Sequence, residues 1–212
     1  MNMKQWVARG AVAFALIAAG SLAQAADLQE GKDYRKLDKP QPVETGKKIE
    51  VIEFFSFSCP HCKDMEPVIS PWIQKLPADV QFRRIPAQFS PLWIGTSKVW
   101  YTLEGLNQER LIPAVFNAIH GQNLRLDQDK AFFDWAVTAG LDRKKVEDMY
   151  NSFAVNGKVA RAKTLVQNYN VQSVPAFVVD GKYTTETQQP KRHEEVPDLL
   201  DKLIDKARAE RK

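Results

Sequence analysis

The apolar and polar positions divide the chain into stretches of different period. Lys48-Ile49-Glu50-Val51-Ile52-Glu53-Phe54-Phe55 is a β-branched and aromatic run of strand length, nearly continuously apolar from Val51 to Phe55. Such a run predicts a strand buried on both faces at the centre of a sheet. From Cys62 to Leu76 the period changes. Met65, Val68, Ile69, Trp72, Ile73 and Leu76 recur at steps of three and four, a helical stripe. Pro67 and Pro71 fall inside that stripe and are expected to kink it, since each lacks an amide hydrogen and crowds the preceding turn. Val80 to Ile85 reads as a second strand.

Pro86 and Pro91 mark a boundary, and from about Thr96 to Tyr169 the pattern is helical throughout. Leu111, Ile112, Val115, Phe116 and Ile119 share one face. Asp127 is the predicted N-cap of a helix carrying Phe132, Phe133, Trp135 and Ala136, with Gly140 just past its end. Asp142 is the predicted cap of the next, with Val146, Met149 and Tyr150 inward. Val155, Val159, Ala162, Val166 and Tyr169 continue at steps of four and three. Strand character returns at Ala176-Phe177-Val178-Val179, directly after Val174-Pro175. Asp180-Gly181 is a type I′ hairpin signal leading to Lys182-Tyr183-Thr184. Pro197 suits the first turn of a terminal helix whose inward face is Leu200, Leu203, Ile204 and Ala207.

The order strand, helix, strand, helices, hairpin, helix predicts an α/β fold: a βαβ opening and a closing ββα unit with an all-helical subdomain inserted between them. Residues 26–90 and 170–212 are assigned to the α/β domain and residues 91–169 to the insertion. Ala26 to Gly46, polar and holding Pro40 and Pro42, is expected to be an extended lead-in.

The first 25 residues stand apart. Lys4 and Arg9 form a basic start, Gly10 to Gly20 is apolar and uncharged, and Ala23-Gln24-Ala25 supplies small residues of the kind a signal peptidase reads. The apolar run is too short for a bilayer core of roughly 30 Å. A cleaved secretory signal is therefore expected over residues 1–25 in preference to a retained anchor, which places the mature protein outside the inner membrane. Its loss removes Lys4 and Arg9 and lowers the formal charge from +4 to +2. With Lys and Arg scattered among 26 acids and no basic face interleaved with aromatics, a nucleic-acid partner is not expected. Lys202 to Lys212, which also holds Asp205 and Glu210, reads as the solvated face of the last helix. The composition, 44% hydrophobic and 26% charged, is that of a chain with an ordinary globular core.

The two cysteines, Cys59 and Cys62, lie in one tetrapeptide. A disulfide there closes so small a ring that loop entropy yields roughly 2 kcal/mol, against nearly 5 for a ring of a hundred residues. The pair is a poor staple and a good redox switch. It also falls where the buried strand gives way to the helix, so Cys59 is expected at a helix N-terminus, where unpaired amides and the dipole stabilise a thiolate. A free thiol with pKa near 8.5 is only about 3% ionised at pH 7. A helix end worth ~2 kcal/mol lowers that pKa by about 1.5 units and ionises half the molecules. Pro60 suits the first turn, where its missing amide hydrogen leaves nothing unsatisfied. His61 is a candidate positive charge or donor beside Cys59, the alternative being an indifferent exposed side chain. A zinc site needs two more ligands, and His120 and His193 lie in unrelated segments, so no metal is expected.

Glu53-Phe54-Phe55-Ser56-Phe57-Ser58-Cys59-Pro60-His61-Cys62, with Val174-Pro175 about 115 residues on, resembles the DsbA family of bacterial periplasmic oxidants. The resemblance spans nearly the whole mature chain, from about Asp27 to Ala207. Thioredoxins usually carry Gly-Pro where this chain has Pro60-His61. The resemblance implies a thioredoxin-like fold with an inserted all-helical subdomain and a redox-active Cys59–Cys62 disulfide donated to reduced or unfolded exported proteins. It implies no cofactor beyond that disulfide, reoxidation by a DsbB-like membrane quinone reductase, and a monomer in the periplasm. It also implies that Pro175 is cis, where spacing alone favours an ordinary trans bond, and that Val174 offers its backbone to a substrate strand. Glu53, an acid in an apolar strand, is implied to lie beneath the disulfide and exchange protons with Cys62. The alternative is that it faces outward or pairs with Arg83 or Arg84. No matching buried lysine is identifiable. The rival functions are a reductase or isomerase, although isomerases of this superfamily usually add a dimerisation domain for which about 187 residues leave no room, and a peptide-binding chaperone in which the disulfide is incidental.

Overall fold

A computed structural model describes residues 28–185 and 192–211. The expected signal over residues 1–25 lies outside the described residues. The element order is β1 (Arg35–Lys36), β2 (Ile49–Phe55), α1 (Pro60–Ile73), β3 (Val80–Pro86), five helices, β4 (Ala176–Val179), β5 (Tyr183–Thr185) and a terminal helix. The five are α2 (Leu92–Gly105), α3 (Ile112–His120), α4 (Asp129–Thr138), α5 (Arg143–Tyr150) and α6 (Phe153–Asn168), and the last is α7 (Val196–Glu210). The strands form one sheet in the order β1-β5-β4-β2-β3, with β2 parallel to β3 and antiparallel to β4. This is the α/β arrangement with a helical insertion that the sequence predicts.

β2 is buried at all seven positions because it lies between two strands and both its faces are covered. The period of two sorts its side chains. Ile52 and Phe54 join Ala176 and Val178 in a core shared with the helical block, where Trp100, Phe116, Phe132, Tyr150 and Tyr169 gather. Val51 and Ile49 point the other way and meet Met65 and Ile69 of α1 and Leu200 and Leu203 of α7. The helical block and the α1–α7 layer thus sandwich the sheet. Arg83 of β3 reaches Glu50 at 2.7 Å and Glu44 at 2.9 Å, and Arg161 of α6 also pairs with Glu44. That chain of charges ties the lead-in, the sheet and the insertion together.

Two local expectations are corrected. α2 begins at Leu92, not near Thr96, because Pro91 already holds helical angles (φ −56°, ψ −32°) and starts the turn. Asp127 does not cap α4. Gln128 stands at the cap position, and the Asp127 carboxylate is held instead by Arg125 at 2.6 Å. Within the lead-in, Arg35 and Lys36 add the edge strand β1 to β5. α1 runs as one helix from Pro60 to Ile73 through Pro67 and Pro71. By contrast Asp142 does cap α5, accepting from the Lys145 amide at 2.8 Å, and Gly140 follows α4 with φ +85°.

The β4–β5 hairpin turns on Asp180 (φ 56°) and Gly181 (φ 63°), the two positive angles a type I′ turn requires. A Cβ on Gly181 would sit 2.1 Å from the Gln41 carbonyl oxygen, so the lead-in lies directly on the turn. Gly181→Ala is expected to lower the unfolding free energy by about 2 kcal/mol, the left-handed penalty plus the clash. The check is the chemical-denaturation midpoint, and an unchanged midpoint refutes the packing described.

Candidate active site

β2 ends at Phe55, and Ser56-Phe57-Ser58 turns the chain into α1. The turn is pinned from several sides. The Ser56 carbonyl accepts from the Cys59 amide at 3.1 Å and the Ser56 hydroxyl accepts from the Ser58 amide at 3.1 Å. The Phe57 ring packs edge-on against Phe55 and Phe116. Cys59 occupies the N-cap of α1 in an extended conformation (φ −94°, ψ 119°), with Pro60 as the first helical residue. The N-cap side chain makes no capping hydrogen bond of its own, and the first-turn amides of His61 and Cys62 act on the sulfur as donors that favour its anion.

Cys59 and Cys62 are both free thiols here and both buried, Cys59 at 7% exposure and Cys62 at 1%. The difference decides which sulfur a macromolecule reaches. The Cys62 thiol donates to the Cys59 sulfur, and this is the foremost reason the Cys59 pKa falls to about 6; burial opposes the shift, and the amides of Cys62 and His61 and then the His61 charge add to it. The ordering refines the sequence expectation, in which the helix end and His61 stood alone. Cys62 moves the opposite way, well above its ordinary value, through burial first and then through the Cys59 sulfur and the charge of Glu53. One sulfur is therefore an anion at neutral pH and the other holds its proton.

Val174 and Pro175 lie beside this pair. The Cys59 thiol, when protonated, donates to the Val174 carbonyl at 3.4 Å, and the Val174–Pro175 peptide is cis. His61 is exposed, its ring 6.3 Å from that of His193. Residues 193 and 120, distant in sequence, both come to the redox loop. His120 Nε2 lies 2.8 Å from the Phe57 carbonyl oxygen and stacks on Phe116. Among the described residues no group of three or more His, Cys, Asp or Glu is placed to hold a metal.

Glu53 is buried, 2% exposed, and its carboxylate accepts from Arg84 Nε at 2.7 Å. Burial raises its pKa, and Arg84 offsets the rise only in part. Arg84 in turn donates to Glu66 Oε2 at 2.7 Å and lies over the Phe55 and Phe82 rings. Burial works against the Arg84 charge, but Glu53 and Glu66 outweigh it and hold the guanidinium above its usual pKa. Glu53 pairs with Arg84, as one of the two sequence readings had it, and it adds to the raised pKa of Cys62. Arg84 supplies the buried cation for which no lysine was found. Its register opposite Glu53 follows from the parallel β2–β3 pairing. Glu66 was missed by sequence reasoning, although its spacing of four from Cys62 puts both on one helix face.

The family described as DSBA-like thioredoxin domain matches residues 50–196. The thiol:disulfide interchange protein DsbA of Pseudomonas aeruginosa is 42% identical over 191 residues, covering 90% of each chain. That of Pseudomonas syringae pv. tomato is 40% identical over 203 residues, 93% of this chain and 95% of its own. The crystal structure of Pseudomonas aeruginosa DsbA superposes with a TM-score of 0.84 at 41% identity, covering 87% of this chain and 97% of that one.

Three outcomes are expected. Thiolate absorbance followed across pH titrates near 6 for Cys59. The folded pKa lies below the unfolded value of 9.0, so the thiolate stabilises the folded dithiol form increasingly as pH rises from 6 toward 9. Thermal denaturation of the dithiol and disulfide forms is expected to show that advantage shrinking as pH falls through 6, and a constant difference refutes it. Separately, Arg84→Met leaves Glu53 and Glu66 buried without their cation and is expected to cost about 3 kcal/mol in denaturant unfolding. A loss under about 1 kcal/mol speaks against a closed network.

Proposed function

The chain belongs to the DsbA-like thioredoxin family of thiol–disulfide oxidoreductases, and from that premise we propose that it donates a Cys59–Cys62 disulfide to exported proteins as they fold. The observation that carries this reading is the Cys59 sulfur at the start of α1, receiving the Cys62 thiol and first-turn amides. A sulfur stabilised as an anion favours the dithiol over the disulfide, so the oxidised pair is inclined to pass its bond on.

A substrate thiolate attacks Cys59 Sγ; the S–S bond breaks and Cys62 leaves with the electron pair. Its high pKa demands a proton, and Glu53, whose own pKa is raised by burial, is the proposed donor. A second substrate thiolate then attacks the substrate sulfur of the mixed disulfide and expels Cys59 as a stable thiolate. Two substrate thiols lose two electrons and two protons, and the enzyme disulfide gains the electrons to become a dithiol. Pro60 starts the helix that holds the sulfur, and His61 adds charge beside it. Val174 offers its backbone at the site edge, where a substrate strand pairs without regard to side-chain identity, and Pro175 holds that edge against Cys59.

The wider reading is export through the signal at residues 1–25, action in the periplasm as a monomer, and reoxidation by a DsbB-like membrane quinone reductase. No cofactor beyond the disulfide and no nucleic acid enters the cycle. Residues 26–90 with 170–212 act as the redox domain and residues 91–169 as the cap over it.

Cys59→Ser is expected to abolish oxidation of a reduced test protein, and equilibration of the wild type with glutathione to show a pair more oxidising than thioredoxin's. Retained activity in the variant, or a thioredoxin-like potential, overturns the proposal.

A further inference from the structure

A tight turn from Ser56 to Cys59 joins β2 to α1, closed by the bond from the Cys59 amide to the Ser56 carbonyl at 3.1 Å. In a turn of four residues the central peptide, here Phe57–Ser58, can rotate without moving the ends, and that rotation separates a type I turn from a type II. Type II needs a positive φ at its third residue. The positive angles outside glycine among the described residues are at Asn107, Asn123, Asn170 and Asp180, so Ser58 holds a negative φ and the peptide sits one way round.

Two hydrogen bonds keep it so. The Ser58 amide donates to Ser56 Oγ at 3.1 Å, a bond within the turn itself. The Phe57 carbonyl pairs with His120 Nε2 at 2.8 Å, across 63 positions of sequence. A carbonyl only accepts, so Nε2 carries a hydrogen, as it does in one neutral tautomer and in the cation. His120 is the last residue of α3, and that helix end is tied down: the Gly121 amide donates to the Asn117 carbonyl at 2.8 Å and the Leu124 amide to the Ala118 carbonyl at 2.9 Å. One turn earlier, Phe116 stacks on the His120 ring at 6.2 Å and meets the Phe57 ring edge-on at 5.0 Å. Positions 116 and 120 share one face of the helix. α3 therefore grips Phe57 twice, by its ring and by its carbonyl. The ring contact is enough to pack the loop; only the hydrogen bond orients the peptide.

We propose that His120 is a positioning residue for disulfide exchange, fixing the Phe57–Ser58 peptide so that the turn delivers Cys59 to the start of α1. The inference rests on the disulfide-exchange reading and adds to it a residue from outside the redox loop. Without the imidazole the Phe57 carbonyl loses its donor, and the central peptide is held from one end only. Its dipole lies two residues before the sulfur, so an unpaired or rotated carbonyl there sets negative charge against an anion. The anion exists in the dithiol and not in the disulfide. Loss of the bond therefore costs the dithiol more, and the pair becomes a weaker oxidant.

The test uses the full-length mature protein with three substitutions. His120→Leu and His120→Ala remove the donor, the first keeping bulk against Phe116 and the second not, while His120→Gln keeps an N–H donor. Equilibration with glutathione is expected to shift about fivefold toward the disulfide in the Leu and Ala variants, the factor that one ordinary hydrogen bond supplies. The Cys59 thiolate titration is expected to rise in both from its value of about 6. The Gln variant is expected to stay within about twofold of wild type in the same equilibrium. Donor-free variants that fold and lose stability while potential and titration stay put make His120 merely structural and overturn the proposal, as does a Gln variant shifted as far as Leu. The wild-type potential reads the donor assignment separately: a thioredoxin-like value overturns that role, while a shift between wild type and the Leu variant still supports the positioning role.

Discussion

The structure depends on one sulfur kept as an anion in a place where anions are costly. Cys59 is nearly buried, and burial alone raises a thiol's pKa. Three things reverse that: the Cys62 thiol aimed at it, the amides of the first turn of α1, and the adjacent imidazole. Each requires the helix to begin where it does. Pro60 at the first helical position and the hydrogen-bonded turn at Ser56 set that start. The fully buried strand β2 aims the turn. A central strand and a helix are thus the means of holding a charge.

Beneath the sulfurs the same strand carries a second set of charges. Glu53, Arg84 and Glu66 satisfy one another inside a core that is otherwise apolar. A buried ion pair contributes little net stability, because desolvating its members offsets most of their attraction. Its consequence nearest the sulfurs is at Cys62, whose pKa the Glu53 charge helps to raise and whose thiolate is the poorer of the two anions. The alternation of the strand keeps this set apart from the second network, in which Arg83 and Glu50 sit on the opposite face.

The helical block contributes more than a cover. Phe57 of the redox loop packs into its aromatic core through Phe116 and Trp100, and His120 holds the Phe57 carbonyl. The loop's position is therefore shared between two halves of the molecule.

Periods of two and of three to four are local properties, and they placed β2, α1 and β4 and the helical run correctly without any contact being known. The position of Cys59 at a strand–helix junction, the Asp142 cap and the Asp180-Gly181 turn were legible for the same reason: each depends on residues within four positions of one another. Asp127 misled because Arg125, a side chain two residues away, competed for its carboxylate and won. Glu66 beside Arg84, His120 on Phe57 and His193 near His61 were decided by tertiary structure alone. Each joins segments brought together by strand register or helix packing, and neither leaves a periodic trace along the chain. Sequence by itself determined where a thiolate is made; only the folded molecule decided which charges lie under it and which helix grips the turn before it.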